Sequence, residues 1–183
     1  MTHDNTMTKT AASADHPLLD QARRKFGFVP NLLTTMAAAP KLLESYMSVG
    51  ALFDQTSLNP TERQVVLLAT SFENSCAYCM AAHSTIAKMQ GVDDGVIEAL
   101  RSGAPIANAK LEALRQFASE VTTRRGWPEA ATRDAFRAAG YSDAQALEVV
   151  LGVGMKTLSN YANHMMGTTL DTPFEPAAWS DPR

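Results

Sequence analysis

Both cysteines of this 183-residue chain lie in one short segment, Glu73-Asn-Ser-Cys76-Ala-Tyr-Cys79-Met-Ala-Ala-His83. The thiols are three residues apart, a histidine follows the second by four, and a glutamate precedes the first by three. On a helix, positions i, i+3, i+4 and i+7 share one face. The spacing therefore predicts one stripe carrying Cys76, Cys79, His83 and, where the helix is continuous, Glu73. Those groups suffice for thiol redox chemistry or for part of a metal site.

A cysteine reacts as its thiolate, and an ordinary thiol is mostly protonated at neutral pH. A helix start capped by Asn74-Ser75 places Cys76 and Cys79 in a first turn, where unpaired N–H groups favour negative charge. His83, one turn below Cys79, can take its proton. Reversible closure of a disulfide between i and i+3 needs a modest local adjustment. Glu73 faces Cys76 and can relay protons to His83 on a continuous helix, and turns elsewhere on a broken one. Two other readings use the same residues. Buried cysteines and a core histidine can be inert. Cys76, Cys79 and His83, with Glu73 or His164 as a fourth ligand, can bind a metal, although tetrahedral sites usually draw ligands from separated segments.

The elements that must position these groups read as helices throughout. Residues 1–14 are small and polar, without periodicity, and predict a disordered tail. A single domain follows over 15–183, and 45% hydrophobic residues suit a substantial core. Gly and Pro punctuate the pattern. Leu18 to Phe26 forms a short helix with Pro17 in its first turn, and a second short segment runs to Ala39. Helices follow from Pro40, from Pro60 to Phe72 behind Asn59 or Thr61, and from Cys76 to Gln90. Asp93 caps another to Arg101. Asn108 to Thr123 is amphipathic, Pro128 opens a helix closed by Gly140, and the Ser142…Gln145 capping box opens a long one to Met166. The Pro-rich tail from Thr169 predicts an extended segment pinned to the body, or to a neighbouring subunit, by Phe174 and Trp179. No strand pattern appears, so the fold class is all-α. Gln64-Val-Val-Leu67 echoes Glu148-Val-Val-Leu151, which sets Asn160 under Cys76 and Asn163 under Cys79. That echo raises the hypothesis of an internal helical-hairpin repeat.

A net charge of −3 without any Lys/Arg run speaks against nucleic acid and acidic membrane surfaces as partners. The longest apolar run, Val65 to Ala69, is far too short to span a bilayer, and the N-terminus lacks the apolar core of a signal peptide. A cytoplasmic location is the expectation, and in that reducing setting a C-x-x-C pair reads as catalytic or metal-binding.

The Glu73–His83 stretch, with Ser84 and Gly91 after it, resembles the AhpD-like alkylhydroperoxidases of the carboxymuconolactone decarboxylase superfamily. Val29-Pro30-Asn31, Leu58-x-Pro60-x-Glu62-Arg63, Asn160-Tyr161-x-Asn163-His164 and the closing Phe174…Trp179 share the likeness. The resemblance implies an AhpD-like helical bundle assembling as trimers or hexamers. It implies reduction of hydroperoxides through a cysteine pair that cycles through a disulfide, with no cofactor and no metal. By position, Cys79 is the attacking cysteine, Cys76 the resolving one, and His83 the relay histidine. A thioredoxin-like or lipoyl-type dithiol would be the reductant. Gln64 stands where the family carries its relay glutamate, and an amide cannot relay a proton as an acid. Glu73 is the first substitute, then Glu62 or Glu148. The decarboxylase branch generally lacks the cysteine pair, which argues against that activity. The alternatives are a metal-binding or non-redox enzyme of the same superfamily, and a non-catalytic thiol redox sensor.

Overall fold

A computed structural model describes residues 16–183. The disordered tail expected over 1–14 lies outside the described residues. Among those described there are nine α-helices, a closing 3-10 segment and no strand, which is the expected all-α class. The helices are α1 (Pro17–Phe26), α2 (Asn31–Met36), α3 (Pro40–Phe53), α4 (Pro60–Glu73), α5 (Ala77–Met89), α6 (Asp94–Ser102), α7 (Ala109–Thr123), α8 (Ala130–Ala138) and α9 (Asp143–Met166).

The helix ends follow local chemistry. Asn59 and Glu62 form a reciprocal capping box at α4, and Ser142 and Gln145 form another at α9. Asp93 and Asn108 accept N-terminal amides of α6 and α7. Two boundaries differ from the sequence reading. Pro128 stands outside α8, whose N-cap is Glu129. Ser75 does not cap α5. Cys76 is itself the N-cap residue, and Ser75 turns the chain at φ 52°. Its hydroxyl is held instead by Asp181 and Arg183 near the C-terminus.

Helix α4 is the centre of the molecule. Residues 64–72 along it are all buried, so it is enclosed on every side rather than on one stripe. It packs against α5, α6, α7 and α9. The larger core gathers around it, with Leu114, Phe117, Phe136 and Tyr141 filling the far side. A second, smaller core holds Leu19, Leu32, Leu33, Met36 and Leu43 against Cys76, Cys79 and Phe174. The thiols therefore sit where the N-terminal helices meet α5, and α9 closes that side. The close crossing of α9 depends on Gly152, where an added Cβ would lie 2.8 Å from Phe53 and Val66 side-chain carbons.

The tail is pinned to the body as expected but is extended only on either side of a short helical turn. Thr172–Ala177 winds into a 3-10 turn that buries Phe174 beside Phe28 and Tyr78. Trp179 packs edge-on against Phe72 and donates to the Arg101 carbonyl at 2.7 Å. The 84-residue echo does not describe a repeated backbone. The chain breaks between α4 and α5, whereas α9 runs unbroken through the corresponding positions.

Candidate active site

Cys76 and Cys79 are both free and buried at the start of α5. Opposite them, α9 presents Lys156, Ser159, Asn160 and Asn163, all buried. Spacings of three, four and seven residues keep Lys156, Ser159 and Asn163 on one helical face. Asn163 Nδ2 donates to Cys79 Sγ at 3.3 Å and lies 3.8 Å from Cys76 Sγ. Ser159 Oγ is 3.7 Å from Cys79 Sγ. The asparagines that the sequence echo set under the cysteines thus come from the facing helix, and Asn163 touches both sulfurs. Asn160 instead accepts from Asn74 Nδ2 at 2.9 Å, tying α9 to the turn before Cys76.

The two thiols are electrostatically unlike. Burial by itself would push Cys79 up. The hydrogen bond from Cys76, the Lys156 charge and the Ser159 hydroxyl outweigh it and hold the Cys79 thiol well below its ordinary value. Cys76 is pushed far up, first by the hydrogen bond it gives Cys79, then by burial and the Cys79 charge. The pair is therefore unequal, with negative charge favoured on Cys79 and the proton favoured on Cys76. Lys156 is lowered by burial but raised more by Cys79, Tyr46 and Cys76 together, so it stays an ammonium.

His83 is buried, and burial followed by the Lys156 charge holds it well below its ordinary value, as a neutral ring. The positive charge opposite the thiolate is therefore on Lys156, not on an imidazolium. His83 Nδ1 lies 3.1 Å from Gln64 Oε1, and Gln64 Nε2 donates to Gln90 Oε1 at 3.1 Å. This chain assigns the ring proton to Nδ1 and leaves Nε2 as an acceptor. Gln64 thus stands beside the histidine as an amide that orients it.

The carboxylates expected to complete a relay are engaged elsewhere. Glu73, the first choice, closes α4 and pairs with Arg183 at 3.3 Å, because the break at Asn74-Ser75 separates it from the α5 stripe. Glu62 belongs to the α4 capping box and pairs with Lys110 at 3.2 Å. Glu148 accepts from the Ser57 amide and hydroxyl. His164 is exposed in the last turn of α9. Among the described residues, no group of three or more His, Cys, Asp or Glu side chains is placed to hold a metal ion. Lys156 is the residue that sequence reasoning missed. Its signal was faint: a lysine seven residues after Val149 and four after Gly152, on the stripe that α9 buries.

Cys79, His83, Gln64 and Lys156 share the wall of a cavity of about 380 Å³. The rest of the wall is mainly apolar, with Leu32, Leu33, Met47, Phe53, Leu67, Met155 and Phe174. Tyr78, between the cysteines, also faces it. The Tyr78 hydroxyl bonds Asp171 and accepts from the Leu32 amide at 3.3 Å, which locks the motif to α2 and the tail.

Residues 40–120 match the model of the carboxymuconolactone decarboxylase family. Among solved structures, the alkylhydroperoxidase AhpD core, an uncharacterized peroxidase-related protein from Ralstonia eutropha JMP134, aligns with a TM-score of 0.77 at 25% identity, covering 86% of this chain and 85% of that one. An uncharacterized peroxidase-related protein from Silicibacter sp. TM1040 aligns at 0.77 with 21% identity, over 95% and 97% of the two chains. The debrominase Bmp8 aligns at 0.78 with 19% identity, over 94% and 97%. The latter two likenesses are of fold. No curated protein matches the sequence. The matched segment runs from α3 into α7 and contains both cysteines and His83, and together with the fold shared with the AhpD core it supports a place for the chain in the AhpD-like carboxymuconolactone decarboxylase superfamily.

Proposed function

We propose that this protein is a thiol-dependent peroxidase that reduces organic hydroperoxides through a Cys76–Cys79 disulfide cycle. The observation that carries the reading is the unequal setting of one buried pair: Cys79 meets Ser159, Asn163 and the Lys156 charge on the wall of an apolar cavity, which favours its thiolate, while Cys76 is turned to Cys79 and keeps its proton. A nucleophile and a resolving thiol need that difference. The Cys79 thiolate attacks the terminal oxygen of the hydroperoxide, the O–O bond breaks, and the alkoxide leaves and takes a proton from the site to become the alcohol. His83 Nε2 accepts a hydrogen bond from the hydroperoxide O–H and orients it for attack. The thiol of Cys76 then condenses with the Cys79 sulfenic acid, forming the disulfide and releasing water. A dithiol of thioredoxin or lipoyl type reopens it by exchange, in a reducing cytoplasm. Glu73 has no part in this cycle. Self-association as trimers or hexamers belongs to the same reading.

The test is hydroperoxide consumption in the presence of a dithiol. Cys79→Ser is expected to abolish turnover, and Cys76→Ser to stop after one equivalent with a trappable sulfenic acid. Full activity in Cys79→Ser would overturn the assignment. A disulfide that forms under oxidant without turnover would favour a redox sensor instead.

A further inference from the structure

The cavity contains a cation that the cycle above leaves unused. Lys156 has none of its surface exposed, its Nζ has no partner other than the Cys79 thiol, and it lines the wall that carries Cys79. A buried ammonium without an opposing charge is strongly disfavoured and sheds its proton. The titratable groups facing Lys156 come from two helices: Cys79, Cys76 and His83 from α5, and Tyr46 from α3. No carboxylate is among them. Asp54, the only carboxylate on the cavity wall among the described residues, is exposed at the end of α3.

We infer that Lys156 is the proton donor to the leaving oxygen of the peroxide step, in the place where a carboxylate–histidine relay was expected. The inference rests on the thiol-peroxidase reading. The reduced site holds Cys79 as thiolate, Lys156 as ammonium and Cys76 as thiol. When the S–O bond forms and the O–O bond breaks, the departing alkoxide takes one proton from Lys156 and leaves as alcohol. Lys156 is then a neutral amine. Cys76 gives its proton to the sulfenic oxygen as the disulfide closes and water departs. A dithiol returns two electrons and two protons, giving Cys76 and Cys79 as thiols. Cys79 passes its proton back to Lys156, which restores the starting charges. Neutral His83 is a poor donor for the first of these transfers, because its one ring proton faces Gln64.

Leaving-group dependence separates this role from simple charge stabilisation. Single-turnover oxidation of the reduced protein is measured with alkyl hydroperoxides, which release basic alkoxides, and with peracids, which release weakly basic carboxylates. Lys156→Arg keeps a positive charge but does not release a proton at neutral pH. It is expected to slow alkyl hydroperoxides more than tenfold while peracid rates stay within about threefold. Lys156→Met, close in length and apolar, is expected to slow both and to move the Cys79 thiolate absorbance titration upward by more than a pH unit. That titration stands as the test if the arginine variant does not fold. Equal slowing of both oxidant classes in Lys156→Arg, or an unmoved titration in Lys156→Met, overturns the donor role. If the unmodified protein forms no sulfenic acid with any hydroperoxide, the peroxidase reading itself falls and takes the donor step with it. An unmoved titration alongside intact peroxide turnover removes Lys156 alone.

Discussion

Cys76 and Cys79 are the same residue type three positions apart, and what separates them is the helix across from them. Asn163 touches both sulfurs, but Cys79 alone also meets Lys156 and Ser159, while Cys76 donates to Cys79 and loses the competition for charge. The expected outcome is selective alkylation. Iodoacetamide at pH 6 should label Cys79 at least tenfold faster than Cys76, as read by peptide mass spectrometry. Equal labelling would mean that the pair is not divided. His83 gives a second expectation. Its folded-state pKa is depressed by burial and by Lys156, whereas in the unfolded chain it returns to about 6.5. Above that pH both states hold a neutral ring and nothing is lost. Below it the unfolded chain takes up a proton that the folded protein refuses, so stability falls with acidification until the folded pKa is reached. The slope is about 1.4 kcal/mol per pH unit. The Cys79 shift acts in the same direction at higher pH, so a His83→Gln variant isolates the histidine. Its urea midpoint should change less between pH 6.5 and 5 than that of the unmodified protein.

At the scale of elements, most helices were legible because their ends are encoded locally. Asn59 with Glu62, Ser142 with Gln145, and Asp93 each carry a cap within four residues. The start of α5 was not, because what holds it is remote: Ser75 at positive φ is fastened by Asp181 and Arg183, over a hundred residues away in sequence. That turn removes Glu73 from the thiol stripe, and no local pattern announces it. Lys156 was hidden for a related reason. A lysine in mid-helix ordinarily reads as solvated, and only the packing of α9 shows which face goes inward. Gly152, one turn before it, sets that packing. Gly152→Ala would drive a methyl to within 2.8 Å of Phe53 and Val66, neither of which can retreat far inside the core. The expected cost is about 2 kcal/mol, within the range for overpacking, measured by urea denaturation. Because the same displacement lifts Lys156, Ser159 and Asn163 from Cys79, the thiolate titration should rise as well. A stability loss with an unmoved titration would separate α9 packing from the site.

For the molecule as a whole, the family match covers residues 40–120, which hold the thiols and His83, while the facing polar stripe of α9 lies beyond it. The sequence motif therefore made the thiols legible and left their charge partner unread, because that partner is supplied by tertiary packing from another part of the chain. The cavity is a product of the same packing. α2, α3, α4, α5, α9 and the tail each contribute to its wall, and most of what they contribute is apolar. A volume of about 380 Å³ exceeds what hydrogen peroxide fills and suits a substrate with a hydrocarbon body. Burying a group the size of a phenylalanine side chain is worth about 2 kcal/mol, or roughly thirtyfold in kcat/KM where the binding is retained in the transition state. Cumene hydroperoxide should thus exceed hydrogen peroxide in kcat/KM by at least tenfold in steady-state assays with a dithiol reductant. Ala51, exposed on the cavity wall at the end of α3, offers a control that leaves the thiols untouched. Ala51→Trp should narrow the entrance, lower the rate with cumene hydroperoxide severalfold and leave hydrogen peroxide nearly unchanged. Equal rates for both oxidants in the unmodified protein would mean that the hydrocarbon wall does not take part in recognising the substrate, and the cavity would then have to be explained by an apolar molecule other than a hydroperoxide.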